Sequence, residues 1–310
     1  MAKLNLAFLY GRVAKEPMIA KPEDPEDASA YLGTMYLDVV RGKRDVGDKI
    51  TYLKHDSVLV LTFDEEYVTK MEQCHKNDIV LIKGVVTTKR IKKNAPCPYC
   101  KEHDMAGIGT TVDSIIVYVT PLHIEKIKSY DEKLPAVTDI ANRREISNQV
   151  FVYGTVLKDP KFVVTKQKIQ ITQYPIAINR KYTIRMDDPS IKTDYPIVKS
   201  YGEQARDDKT FLKFQAEVLV DGFLQTRSVV KNKKCPCCGN FYKWRDNTCE
   251  LVPYAVEYLT GFKTEEEVEA EQHATVEQYK QALFDSGVND ELDDFLKSDD
   301  VVDNQSITFL

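Results

Sequence analysis

Four of the seven cysteines stand as two Cys-x-x-Cys pairs, CPYC at 97–100 and CPCCG at 235–239. Two thiolates at this spacing chelate one side of a metal ion, with proline favouring the tight turn and Gly239 relieving the backbone just after it. In a reducing compartment the spacing favours a metal over structural disulfides, and the odd cysteine count agrees. A structural zinc ion takes four ligands, and neither pair has a full set beside it. The economical arrangement joins Cys97, Cys100, Cys235 and Cys238 around one Zn2+. The alternatives are two separate sites, completed by His103 or Cys249, or a redox pair. Cys74 and His75 fall in a helical segment, where a half-buried cysteine is the ordinary reading. No phosphate-binding glycine loop, no His-Glu-x-x-His and no His-x-Glu set beside the Cys-x-x-Cys pairs occurs, so the chain is not read as an enzyme.

The elements that carry these knuckles are repeats of one another. FLYGRVAKEP (8–17) recurs as FVYGTVLKDP (151–160), and DIVLIKGVVTTKR (78–90) as EVLVDGFLQTR (217–227). Gly84 and Gly222, Thr88 and Thr226, Cys97 and Cys235, Cys100 and Cys238 are each separated by 138 positions. The repeats give one domain at 3–127 and a second at 148–262, with a polar linker over 128–147 and an acidic segment from 263 to 310. With a linker of about 20 residues, a shared ion is expected to set the pose of the two domains.

In the second copy VFVYGTV, KIQITQYPIAI, YPIVKSY, FQAEVLVDGFLQTR and TCELVPYAVEY are rich in β-branched and aromatic residues with partial alternation. GEQARDDKTFLKF, and DEEYVTKMEQCHKN in the first copy, have helical spacing. The expected fold class is mainly β: two tandem OB-type five-stranded barrels, each with one helix between strands 3 and 4.

The 310 residues are 43% hydrophobic and 29% charged, enough for one large core or two ordinary ones. No apolar run reaches membrane-spanning length and the start has no small-residue cleavage site, so a cytoplasmic protein without membrane contact is expected. The net charge of −5 is unevenly spread: residues 263–310 hold 14 acidic residues against three lysines, a balance of −11, and residues 1–262 carry +6. Such asymmetry suits a polyanion-binding body with an interaction tail, and equally an ordinary body with a solvated tail. Residues 264–287 read as one helix, and the acidic remainder as disordered in isolation.

VYGTVLKDPK, PIAINRKY, TDYPIVKSYGEQA and VLVDGFLQTRS resemble, in order and spacing, the bacterial and phage single-stranded DNA-binding protein family. The resemblance covers most of 150–230, and the first copy keeps LYGRVAKEP and DIVLIKGVVTTKR. It implies an OB barrel, no catalysis, sequence-tolerant binding of single strands, and a long loop between strands 4 and 5 where the cysteine knuckles stand. The paired CPxC knuckles, absent from most of that family, resemble a zinc ribbon with its halves on two barrels. The resemblance also implies recruitment of replication and recombination proteins by an acidic tail with an apolar tip, here ITFL. Two chains pairing as a homodimer would bring the family's usual four barrels together.

A single strand is held by cations along a groove with aromatic faces between them. INRKYTIR interleaves Arg180 and Lys181 with Tyr182, while Tyr195 and Tyr201, six apart on one expected strand, share a face. Tyr182, Tyr195 and Tyr201 stand at or next to positions where the family places stacking aromatics, or else pack in the core with their hydroxyls at the rim. Arg227 and Lys199 are weaker candidates, since a lone surface cation is usually solvated. In the first copy Phe63 answers Tyr201, but Ser57 answers Tyr195, so one stacking position is lost. Arg41 in VVRGKR (39–44), with Lys89 and Arg90 in TTKRIKK (87–93), leaves that copy contacts to phosphates, or a role as a docking or dimerising barrel. The leading reading is a protein that coats single-stranded DNA in replication or recombination. The runner-up is a non-catalytic scaffold subunit of a replication, transcription or conjugation complex.

Overall fold

The computed structural model describes residues 4–22, 31–42, 54–103, 109–186 and 190–285. Residues 1–262 form one compact unit and residues 263–310 a second. Lys43 and Arg44, and the acidic stretch beyond 285, lie outside the described residues.

The chain begins with strands β1 (Asn5–Val13), β2 (Met18–Ala20), β3 (Leu32–Val40) and β4 (His55–Thr62), followed by helix α1 (Glu65–Glu72). Two long strands follow, β5 (Ile79–Pro96) and β6 (Gly109–Lys128), separated by a short 3-10 turn at Pro98–His103. Helices α2 (Lys133–Asn142) and α3 (Arg144–Ser147) lead to β7 (Asn148–Val156), β8 (Lys161–Val164), β9 (Gln170–Asn179), β10 (Thr193–Asp194) and β11 (Ile197–Tyr201). Helix α4 (Gly202–Phe211), β12 (Glu217–Lys234) and β13 (Phe241–Thr260) complete the first unit, and α5 (Glu265–Asp285) lies in the second. Among the described residues no helix is long and apolar enough to cross a membrane.

Each half closes a five-stranded barrel in the same order. β1 pairs with β3 and β5, and β4 with β3 and β6, while β5 and β6 form a hairpin. In the second half β7, β9, β11, β13 and β12 close in the same way. The strand order and the helix after the third barrel strand are those of the OB fold. Alternation places one face of each strand inside, as in β7, where Asn148, Val150, Val152, Gly154 and Val156 are buried.

Both hairpins bend at a glycine bulge, with register shifts between Lys83 and Gly84 and between Asp221 and Gly222. A Cβ at Gly84 would stand 2.5 Å from the Thr120 carbonyl oxygen, and one at Gly222 2.3 Å from that of Val252. No other residue allows that backbone approach. Beyond the bulges the hairpins leave the barrels as two-stranded ribbons, reaching Pro96 opposite Gly109 and Lys234 opposite Phe241.

Helix α1 is shorter than its sequence pattern. The chain turns after Glu72 because the Asp78 carboxylate accepts from the His75 amide at 2.8 Å and Asn77 takes a left-handed φ of 74°. The stretch 128–147 is not a loose connector. Its α2 places Ala136 and Ile140, one helical turn apart, against Tyr10, Val40 and Ile79. Ser147 donates to the Tyr10 carbonyl and accepts from the Val40 amide, which pins α3 to the first barrel.

The two barrels are joined by backbone, so the linker and the knuckles are not their sole connections. β1 and β7 pair antiparallel from Asn5 opposite Val152 to Leu9 opposite Asn148. Around this ladder the contacts repeat under exchange of the halves. The Thr226 amide donates to Asp56 at 2.8 Å, and the Thr88 amide to Asp194 at 2.7 Å. The Ser57 amide donates to the Thr226 hydroxyl, and the Tyr195 amide to the Thr88 hydroxyl. The halves thus meet across a pseudo-twofold axis, each donating the same groups to the other.

In the second unit, α5 starts with reciprocal capping: the Glu267 amide donates to the Thr264 hydroxyl, and the Glu267 carboxylate accepts from the Thr264 amide.

Candidate nucleic-acid interface and thiolate cluster

The ribbon tips bring the four knuckle cysteines together. The Sγ atoms of Cys97, Cys100, Cys235 and Cys238 lie within 4.8 Å of one another, with Cys97 to Cys238 at 3.7 Å and Cys100 to Cys235 at 3.6 Å. Cys97, Cys100 and Cys235 are buried, packed with Tyr242 and the partly buried Trp244. The backbone supports thiolates here. The pKa of Cys235 is brought down to about 6, chiefly by the Cys238 amide and also by that of Cys237, while burial works against it. Burial pushes Cys97 up, opposed by the amides of Tyr99 and Cys100. Cys100 is pushed up by its hydrogen bond with Cys235 and by burial. Gly239 takes a φ of 73°, and its amide donates to the Cys235 carbonyl at 3.0 Å. Four sulfurs at this separation can hold one metal ion. Cys249 packs against the main core, away from the cluster, and the His103 side chain lies outside the described residues.

The ribbons are clamped below the cluster. Tyr242 donates its hydroxyl to the Ala95 carbonyl. Lys93 and Lys231, repeat counterparts, both reach the Asp246 carboxylate, at 2.6 and 2.7 Å. Burial pushes the Asp246 carboxyl up, but Lys231 and Lys93 more than reverse this and hold it below the usual carboxylate range.

The expected groove residues divide into exposed and committed groups. Tyr182 is 38% exposed with Lys181 Nζ 5.8 Å from its ring centre, and Tyr195 is 47% exposed. Tyr195 is not on a strand with Tyr201. Pro196 cannot donate to the ladder, so Tyr195 sits in the gap between β10 and β11. Tyr201 is half-buried, its hydroxyl accepting from Gln225 at 3.4 Å.

Arg180 has another task than expected. It is buried, and its guanidinium grips the fully buried Asp194 through two bonds of 2.5 and 2.8 Å, the carboxylate that receives Thr88 of the other barrel. Arg41 does the same in the first barrel, holding Asp56 at 2.6 and 3.0 Å. Both arginines therefore fix the joint. Arg227 is paired through both its Nε and an Nη to Glu250, where the buried Lys199 also lies, at 3.6 Å. In the first barrel Phe63 is half-buried under Lys89, whose Nζ stands 5.5 Å from the ring centre, and Arg90 is exposed at the foot of the ribbon.

Sequence reasoning missed Asp56 and Asp194 as joint residues, and Asp246 as the clamp between ribbons. The 138-residue offset held a signal for the first two, since Asp56 and Asp194 obey it as Thr88 and Thr226 do.

Residues 147–235, from the first strand of the second barrel through the outgoing strand of its ribbon, match the model of the single-strand binding protein family. Among solved structures the chain is similar to single-stranded DNA binding protein from Thermus aquaticus. A deletion variant of that protein aligns at 16% identity with a TM-score of 0.52, covering 86% of this chain and 100% of the other. The wild-type form aligns at 16% identity and 0.51, covering 85% and 97%. The likeness in fold extends over both barrels. None of the curated proteins matches the sequence.

Proposed function

We propose that the protein binds single-stranded DNA, coats strands exposed during replication or recombination, and recruits proteins of those processes through its acidic segment. The observation that carries the reading is a match to the single-strand binding family over a barrel whose connection between β9 and β11 presents exposed Tyr195 and exposed Tyr182, the latter beside Lys181. Flat bases stack on aromatic faces while the phosphates meet cations, which asks for no base-edge readout. The first barrel supplies Lys89 and Arg90 to phosphates, with Phe63 as its one platform. The 14 acidic residues in 263–310 support a segment kept off the nucleic acid and open to protein partners. The thiolate cluster holds one Zn2+, a reading supported by four sulfurs mutually within 4.8 Å and by the amides that favour the Cys235 thiolate.

Titration of the purified chain with labelled oligo(dT), oligo(U) and duplex tests the binding. Unaided, salt-dependent binding of oligo(dT) is expected, and failure to bind any bare single strand overturns it in favour of a scaffold subunit. Metal analysis is expected to give one zinc per chain, lost in both Cys97→Ser and Cys235→Ser. Two ions in the wild type, or one retained in either variant, overturns the shared site.

A further inference from the structure

The two ribbons share a register but not a surface. In the second, residues alternate cleanly between faces. Val229, Lys231, Tyr242, Trp244 and Asp246 turn toward the clamp, while the opposite face is exposed from end to end. That outward face carries Lys234, Lys243 and Arg245 and not one carboxylate. Phe241 lies on it, 71% exposed, with Lys234 Nζ 5.7 Å from its ring centre, and Val230 is 53% exposed. Among the described residues Lys243 and Arg245 have no ion-pair partner.

The same register positions on the first ribbon are Pro96 for Lys234, Gly109 for Phe241, Thr111 for Lys243 and Asp113 for Arg245. Phe241 therefore has no counterpart that packing of the ribbons demands. A ring this exposed buries little area in the fold, and aromatic and cationic groups interleaved on a carboxylate-free strip match what a single strand presents.

We infer that the outward face of the second ribbon is a separate single-strand-binding site, on which one base stacks on Phe241 and phosphates meet Lys243 and Arg245. This rests on the single-strand reading given above and extends it from the barrel onto the ribbon. Its position follows from the fold: Lys234 lies nine positions along β12 from Gln225, which touches Tyr201 in the barrel groove. At roughly 3.3 Å per residue a strand leaving the groove must run about 30 Å to reach the tip. Short oligonucleotides fill the barrel alone, and long ones engage both.

The test compares wild type, Phe241→Ala and the double variant Lys243→Ser with Arg245→Ser, all changed on a solvent face. The probes are oligo(dT) of about 8 and about 35 nucleotides, bracketing the span of one OB barrel, and a blunt duplex. On the long probe, Phe241→Ala is expected to weaken binding about 5- to 150-fold, and the double variant to flatten the salt slope by about 1.4. The short probe should bind all three proteins equally. Unchanged long-probe binding in both variants, an equal loss on the short probe, or a loss confined to the duplex overturns the site. Failure of the wild type on every single-stranded probe instead overturns the function on which it rests.

Discussion

Removing the metal ion proposed for the thiolate cluster is expected to loosen the ribbons and leave the barrels joined. With the ion gone, the ribbon tips keep the buried ring of Tyr242 with its hydroxyl on Ala95, and the Lys93–Asp246 pair. Burying an aromatic ring contributes about 1.5–3 kcal/mol, and a charged hydrogen bond about as much. Opening of the tips in the metal-free protein is therefore opposed by roughly 3–6 kcal/mol, which slows amide exchange there only about 10²- to 10⁴-fold. The joint is different in kind, because it consists of the β1–β7 ladder and the two exchanged Asp–Thr contacts, none of which includes a cysteine. Hydrogen exchange read by mass spectrometry, before and after chelation with metal loss verified, should show protection falling in 91–96, 110–116, 229–234 and 241–247 and persisting in β1 and β7. An equal fall in β1 and β7 would mean that the ion holds the barrels together. No change in the ribbons would mean that the four thiols pack without an ion.

Three further outcomes follow from the same contacts. Arg180→Ala leaves the Asp194 carboxylate buried without its cation and should destabilise the protein by about 3–5 kcal/mol in urea unfolding, with the salt slope of DNA binding unchanged. A flattened slope at intact stability would return Arg180 to the groove. Tyr182→Ala and Tyr195→Ala should each cost about 1–3 kcal/mol of affinity for oligo(dT) with little change in that slope; unaltered affinity in both removes the platform. Asp246→Asn should cost about 1.5–3 kcal/mol near neutral pH. Because the carboxyl is held below its ordinary range, the wild-type advantage is present above the unfolded pKa of about 3.9 and is lost as pH falls through the depressed folded value. A gap between the two proteins that widens on acidification would contradict the clamp.

The barrels and the meeting of the knuckles were legible because they rest on signals that survive in one dimension: period-two strands, a helix after the third strand, and an exact repeat offset through the cysteines. What was not legible depends on which partner the fold supplies. Arg180 reads as a groove cation because it sits beside Lys181 and Tyr182, and only the folded chain puts the Asp194 carboxylate against it. Tyr195 and Tyr201 read as one face, but Pro196 breaks the strand that would place them there. The stretch 128–147 reads as polar because, of its inward-facing residues Ala136, Asp139, Ile140 and Ser147, two are themselves polar, which leaves too few apolar ones to stand out from the charged residues around them.

A chain that carries both halves of its own interface can place on the axis what two identical subunits cannot. Val229 pairs with Asp246 in the second ribbon, and in the first its counterpart Ile91 pairs with Ser114. Ser114 donates to the Asp246 carboxylate at 3.4 Å, so one acid, one hydroxyl and two lysines share the centre of the clamp. A homodimer of the second half would bring two acids face to face at that point, and one of the first half would leave two lysines with no acid between them. Joining the copies in one polypeptide thus lets the two sides differ by single residues. The ribbons' outward faces differ in the same way, with Phe241 standing where the first ribbon has Gly109.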